Sequence, residues 1–222
     1  MFPLGVLKKR PINGYVLDPA KVKLLLHFDG NYNDSSPNNH TMTSGGNVSI
    51  STSVPKFGTG KLQFGNTPVR DGFLRSPNLF DFGNKRPFTV SFFYKDGDGN
   101  GCFFTTRDSP TYTQMELGRG GNLLVGDAAL SGWTFVAANM SISPIAYQHC
   151  AVVGDGTNIK LYRDGSLIAT TPHPNWVSAS RFIQLGKNGD SMYSDGGMDE
   201  FLLYDGVLWA SDFTPPTAPF TY

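Results

Sequence analysis

Glutamate, cysteine, histidine and net charge are all scarce in this chain, and each shortage removes a class of function. Of its 18 acidic residues only Glu116 and Glu200 are glutamates. A glycosidase needs two carboxylates at a fixed separation across a sugar bond, and no Glu-x-Asp-x-Glu run supplies them on one strand. The four histidines, His27, His40, His149 and His173, lack the close pairing of a metal or catalytic cluster. They read as surface or satisfied core residues. No Gly-x-Ser-x-Gly elbow occurs, and "GRGGN" (118–122) lacks the Lys-Ser/Thr of a phosphate loop. No enzymatic activity and no catalytic residue are expected. Formal net charge is zero, so no global field draws the chain to nucleic acid or an acidic membrane. No run approaches the ~18 apolar residues of a membrane span. In "MFPLGVLKKRPING" the apolar piece precedes the basic residues, the reverse of a signal peptide. Cys102 and Cys150 lie in apolar runs. They are either one disulfide or two buried thiols, and the thiols are expected in a chain without an export signal.

What is abundant is turn-forming and aromatic. The chain has 26 Gly, 15 Pro and 13% aromatic residues, against 16% charged, over 222 residues. All-β domains reach this length as one unit. Half of the aspartates stand directly before glycine: Asp29, Asp71, Asp96, Asp98, Asp155, Asp164, Asp195 and Asp205. Asp tolerates the left-handed region and Gly enters it at no steric cost, so Asp-Gly between apolar runs marks a hairpin corner. "NIKLYRDGSLIAT" is such a case, with Ile159 and Leu161 on one side and Leu167-Ile168-Ala169 returning after Asp164-Gly165.

Strand patterns recur at 22–28, 47–52, 60–65, 87–95, 101–106, 112–118, 133–139, 147–153, 158–163, 166–170, 181–186 and 198–204. Many short strands with no helical period predict an antiparallel two-sheet sandwich. In "FTVSFFY", Phe88, Val90, Phe92 and Tyr94 share one face, with Thr89 and Ser91 on the other. "YQHCAVV" is apolar on both faces, as suits a central covered strand. One short helical turn is expected at 209–213.

On "MDEFLLY", alternation places Asp199 with Phe201 and Leu203, pointing inward. A carboxylate there must be satisfied by loop amides or by a cation. Asp29 and Asp34 could join it in a calcium site. The loop clamp is the expected reading, with no cofactor and no metal. Trp176 and Tyr193 fall in loops, either as a sugar platform or as packing across the sandwich edge. No residue is assigned to carbohydrate, and both are test positions.

The series "KVKLLLHFDGNYNDSSPNNH", "KFGTGKLQFGN", "PFTVSFFYKD", "YQHCAVVGDGTNIKLYRDGSLIAT", "FIQLGKN" and "GGMDEFLLYDGVL" resembles the concanavalin A-like, laminin G-like jelly-roll domains over about residues 22–213. The opening "VKLLLHFDG…DSS" is similar to the form found in structural proteins of tailed bacteriophages. The resemblance implies a jelly-roll sandwich and a virion protein, a capsid or tail appendage, made in the host cytoplasm. It brings no catalytic residues onto this chain. Lectins share the fold, so recognition of host-surface glycans is the alternative, and a glycan-processing enzyme ranks below it.

Residues 1–21 read as an extended arm before the domain at 22–213, and 214–222 as a Pro-rich tail. Phe2, Leu4, Val6, Leu7, Ile12, Tyr15, Val16 and Leu17 offer the arm apolar anchors, while Pro3, Pro11 and Pro19 keep it extended. Its partners are expected to be other virion proteins and sister copies, with the alternative that it folds back along its own sandwich. Lys8, Lys9, Arg10, Lys21 and Lys23 form a local basic excess, either a solvated face or a surface for an acidic partner.

Overall fold

The computed structural model describes residues 15–65, 71–95, 101–106, 115–118, 122–127, 132–136, 145–176, 178–188 and 192–222. In chain order the strands are β1 (Val22–Leu26), β2 (Thr43–Gly45), β3 (Val48–Ser51), β4 (Lys61–Phe64), β5 (Phe73–Arg75) and β6 (Phe80–Asp81). Then come β7 (Phe88–Lys95), β8 (Cys102–Thr105), β9 (Met115–Gly118), β10 (Asn122–Asp127), β11 (Gly132–Val136) and β12 (Gln148–Gly154). The last are β13 (Asn158–Arg163), β14 (Ser166–Pro172), β15 (Ser180–Arg181), β16 (Gln184–Leu185) and β17 (Gly196–Tyr204).

The first sheet runs β14-β13-β12-β7-β17-β4-β3, with β1 also on β17; the second runs β11-β10-β9-β8-β16-β5-β2; β15 and β6 pair separately. All these ladders are antiparallel. This is the antiparallel two-sheet sandwich that the strand pattern predicted, in the jelly-roll form that the resemblance implied.

Period-two patterning explains the central layer. Phe88, Val90, Phe92 and Tyr94 enter the core between the sheets, meeting Phe103, Phe104, Leu117 and Leu123 from the second sheet. Thr89 and Ser91 face the other way: Thr89 Oγ1 donates to the Gly206 carbonyl (2.8 Å), and Ser91 Oγ lies 2.8 Å from His149 Nε2. Strand β12 is buried on both faces, with Cys150 and Val152 toward the sandwich core and Ala151 and Val153 outward. Cys102 and Cys150 are buried free thiols. The β13–β14 corner turns at Asp164 (φ +50°) and Gly165 (φ +81°), the two left-handed residues that a type I′ turn requires.

The outer face of the first sheet is covered as well. Leu25, Tyr162, Leu202 and Tyr204 from the strands pack with Leu17, Trp209 and Phe220 into a second apolar layer, and Tyr15 and Phe213 lie against it. The segment 209–213 is a bend, not the expected helical turn. Its Trp209 and Phe213 rings stack at 4.1 Å, and Leu167 N donates to Asp212 (2.8 Å), which ties the segment across the β13–β14 hairpin. Side-chain anchoring here outweighs local helix formation. The one helical element among the described residues is a 3-10 turn at Pro19–Lys21, capped by Asp18.

Strands β2, β5, β6 and β10 were not anticipated, and the single run expected at 181–186 is split into β15 and β16. Except for β10, these pieces have two or three residues, too few for alternation to register. Asp199 also differs from expectation. Glu200 takes φ +52°, and the β17–β7 register shifts between Asp199 and Leu202. This bulge reverses the alternation, so Asp199 stands across from Phe93 on the outer side while Met198, Phe201 and Leu203 enter the core.

Candidate functional site

After β1 the backbone leaves the sheet through Phe28 (φ +61°) and Gly30 (φ +84°). Two aspartates then fix the long connection to β2. Asp29 Oδ1 accepts Thr59 N (2.5 Å) and Gly60 N (3.2 Å), fastening the connection to the loop before β4. Asp34 is buried, and its Oδ1 accepts Leu25 N (3.0 Å) and Ser36 N (2.9 Å) while Oδ2 accepts Ser36 Oγ (2.8 Å) and His40 N (2.9 Å). Asn38 Nδ2 donates to the Val22 carbonyl (3.0 Å). Asn33 N donates to Asn31 Oδ1 (2.8 Å), and Asn39 adopts φ +47°, a region that Asn enters more readily than most residues.

These constraints shape an open groove of about 410 Å³ lined by Asn31, Tyr32, Asn33, Asn39, His40, Thr41 and Met42. Tyr32 and Met42 rest against the sandwich core, and the Tyr32 hydroxyl donates to the Val48 carbonyl (3.1 Å). The side chains of Asn33, Asn39, His40 and Thr41 make no hydrogen bond to other described residues and remain available to a ligand. Two amides, an imidazole and a hydroxyl beside one aromatic ring can donate to and accept from hydroxyl groups. Among the described residues, no carboxylate, lysine or arginine lines the groove.

Sequence reasoning missed this groove. It treated Asp34 as a candidate calcium ligand and passed over the asparagines around it. The available signal was the density of Asn in "NYNDSSPNNH", but an exposed asparagine has no periodicity to mark it.

The other singled-out residues are dispersed. Asp199 Oδ2 accepts Lys56 N (2.7 Å) and Phe57 N (3.1 Å), and its Oδ1 accepts Glu200 N (2.9 Å). It is a loop clamp, and burial pushes its carboxyl up to about 7 against the pull of those amides. Asp29 and Asp199 both hold the loop before β4 while Asp34 holds the connection after β1, and no cluster of metal-ligating side chains occurs among the described residues. Trp176 is buried, with Nε1 donating to the Gly126 carbonyl (2.8 Å) and its ring edge-on to His173. That removes it as a sugar platform. Tyr193 is half-buried, with the Lys187 ammonium 4.9 Å from its ring centre.

Glu200 meets His27 Nδ1 at 2.8 Å and accepts Phe220 N at 3.2 Å. The hydrogen bond that His27 donates to Glu200 raises the His27 pKa, partly opposed by burial. His149 is buried beside Ser91, and desolvation holds its pKa down at about 3. His173 Nδ1 lies 2.9 Å from the Pro174 carbonyl. Glu116 accepts the Asn188 amide (3.0 Å) in the interior.

Of the arm anchors, Phe2, Leu4, Val6, Leu7 and Ile12 lie outside the described residues. Leu17 is buried on its own domain, with its N–H donating to Thr221 O (2.9 Å). Tyr15 packs edge-on to Trp209 and donates to Thr214 O (3.0 Å). Val16 is 60% exposed.

A family model described as the concanavalin A-like lectin/glucanases superfamily matches residues 68–212, well over half of the chain. The chain belongs to this superfamily. Among solved structures with this superfamily fold, domain 4 of AbnA, an extracellular arabinanase from Geobacillus stearothermophilus solved with arabinotriose, superposes with a TM-score of 0.70 at 20% identity, covering 85% of this chain and 94% of that one. The botulinum neurotoxin serotype D binding domain gives 0.61 at 15% identity over 86% of this chain, and the binding domain of Paraclostridial Mosquitocidal Protein 1 gives 0.62 at 15% over 86%. The chain spans about half the length of each of these two binding domains. No curated protein matches at the level of sequence.

Proposed function

We propose that this chain is a non-catalytic recognition module that binds a glycan in the groove between Asn31 and Met42. The observation that carries the reading is the set of uncommitted polar side chains, Asn33, Asn39, His40 and Thr41, held beside Tyr32 by the Asp34 clamp. A site whose backbone is already fixed loses little further entropy on binding. The similar domains include one solved with arabinotriose and two described as binding domains, which supports recognition over catalysis. The aspartates nearest the groove, Asp29 and Asp34, spend their oxygens on backbone donors, so neither serves as an acid or base toward a bound sugar. The test is a glycan array with the whole chain and with the double variant Asn39→Ala/Thr41→Ala. Binding that the double variant loses while keeping its melting temperature supports the groove, and so do bound glycans recovered without turnover. Binding unaffected by the substitutions, or cleavage of a bound glycan, would sink the reading.

The sequence placed virion duty first, and the groove moves glycan recognition ahead of it. The two are compatible: an appendage on a tailed-phage particle is one place where such a module would be displayed to a host surface. The support for that setting is the resemblance of the opening "VKLLLHFDG…DSS", together with the exposed Val16 where the chain reaches the sandwich. Residues 1–14, with their five apolar anchors and Lys8-Lys9-Arg10, would fasten the module to virion proteins or sister copies. Deleting residues 1–14 spares Tyr15 and Leu17. The expected result is a folded, glycan-binding domain that no longer joins particles, and full incorporation of the truncated chain would remove the arm as fastener.

A further inference from the structure

We infer that a bound glycan runs past Tyr32 into a second groove, lined by Asn47, Ser49 and Gln63, so that the preferred ligand is a neutral oligosaccharide and not a single sugar. The inference deepens the proposed function and rests on it. Strand β2 is the edge of the second sheet and β3 the edge of the first, and only Gly46 and Asn47 separate them in the chain. Met42, immediately before β2, lines the first groove, and Asn47, immediately before β3, lines the second. Both grooves therefore lie along the rim where the two sheets end. Tyr32 joins them: its ring lines the first groove, and its hydroxyl donates to the carbonyl of Val48 (3.1 Å), which lines the second. The ring is half-buried against the core and supplies the apolar surface over which a sugar passes from one groove to the other.

The second groove has a volume of about 310 Å³, a size that takes a small ligand. Alternation builds it. Val48, Ile50, Leu62 and Phe64 turn into the sandwich core, which leaves Ser49 and Gln63, directly across from each other, on the outward face. Asn47 and Ser49 are exposed and Gln63 is half-buried. Gln63 Nε2 donates to the Phe64 carbonyl (3.0 Å) and the Gly196 carbonyl (2.8 Å). Both amide protons are thereby spent, and Oε1 is left as a fixed acceptor. Asn47 N donates to Asp71 Oδ1 (2.7 Å) and Val48 N to the Gly46 carbonyl (3.0 Å), so the backbone beneath the Asn47 amide is held as well. The side chains of Asn47 and Ser49 have no hydrogen-bond partner among the described residues. No carboxylate, lysine or arginine among the described residues lines either groove, so the pair matches a neutral ligand. Two sets of uncommitted amide and hydroxyl groups, one on each side of an aromatic ring, suit linked sugars that each bring their own hydroxyls.

The probe is an array of neutral homo-oligosaccharides of arabinose, glucose, galactose and mannose, each printed as a ladder from the monosaccharide upward. Retention by the native chain should rise ~10-fold along a recognised ladder, the worth of about two hydrogen bonds, and level off once the second groove is filled. Asn47→Ala/Ser49→Ala should abolish that rise while sparing the short members. Melting temperature should not move, because both side chains are exposed. If the double variant fails to fold, Ser49→Ala alone and the ladder of the native chain still decide. A rise that survives Asn47→Ala/Ser49→Ala, or loss of the short members together with the long ones in that variant, overturns the inference. Short members bound through Asn39 and Thr41 with no gain from length remove only this inference, whereas an array with no binding at all removes the groove reading and the inference together.

Discussion

The outer face of the first sheet and the groove after β1 treat their polar groups in opposite ways. The first sheet buries its outer face under its own chain: Trp209, Phe213 and Phe220 lie over Leu25, Ala151, Val153 and Tyr162, with Leu17 and Tyr15 completing the cover. Polar groups there are consumed internally, as in Asp199 with its three amides and Glu200 between His27 and the tail. The groove after β1 instead keeps amide, imidazole and hydroxyl groups unspent. With the first sheet's outer face closed by the termini, recognition falls to the loop at the rim of the sandwich.

The sharpest way to break this comparison is Trp209→Ala. Removing a buried aromatic that stacks on Phe213 and meets Tyr15 should cost about 3–5 kcal/mol, read by denaturant unfolding. Glycan affinity of the molecules that remain folded should be unchanged; a loss of affinity would show that the covered face and the groove are coupled.

Asp34→Ala tests the rim. It strips partners from the amides of Leu25, Ser36 and His40, and an unsatisfied buried donor costs about 1–3 kcal/mol. Melting temperature should fall and array binding should disappear, because the groove wall is released. Retained binding would show that the loop is shaped by something other than this carboxylate.

Asp199 sharpens the contrast through pH. Burial raises its folded pKa to about 7, while an unfolded aspartate titrates near 3.9. Between about pH 4 and pH 7 the folded chain holds a proton that the unfolded chain has lost. Its contribution to stability is therefore greatest at the acid end of that window and declines as pH rises through 7. His149, held down at about 3 by burial, works in the opposite sense: its contribution is full above about 6.5 and is lost as pH falls toward 3. Against an Asp199→Asn variant, the native chain should gain relative stability as pH is lowered from 7 to 4, measured by unfolding at each pH. A difference that is flat with pH, or that shrinks on acidification, would contradict this account.

The smallest expected effect is on stability in Thr41→Ala. An exposed hydroxyl without an internal partner should matter by less than about 0.5 kcal/mol. Binding by the groove should nevertheless weaken several-fold on the array, and an unchanged affinity would remove Thr41 from the site.

By itself the sequence determined the sandwich, the faces of β7, β12 and β13, and the Asp164-Gly165 corner, because period-two alternation and left-handed turn residues are local properties that each segment carries alone. The short strands β2, β5, β6 and β16 were settled by their partners, since two or three residues hold no period. The orientation of Asp199 was decided by a bulge at Glu200, a single residue at positive φ that no pattern announces. The cover over the first sheet joins Tyr15 and Leu17 to Trp209 and Phe220 from the far end of the chain, and only closure of the fold brings them together. The groove has the same origin: Asn33, Asn39 and Thr41 are ordinary loop residues until the buried Asp34 ties their segment to Leu25 and His40.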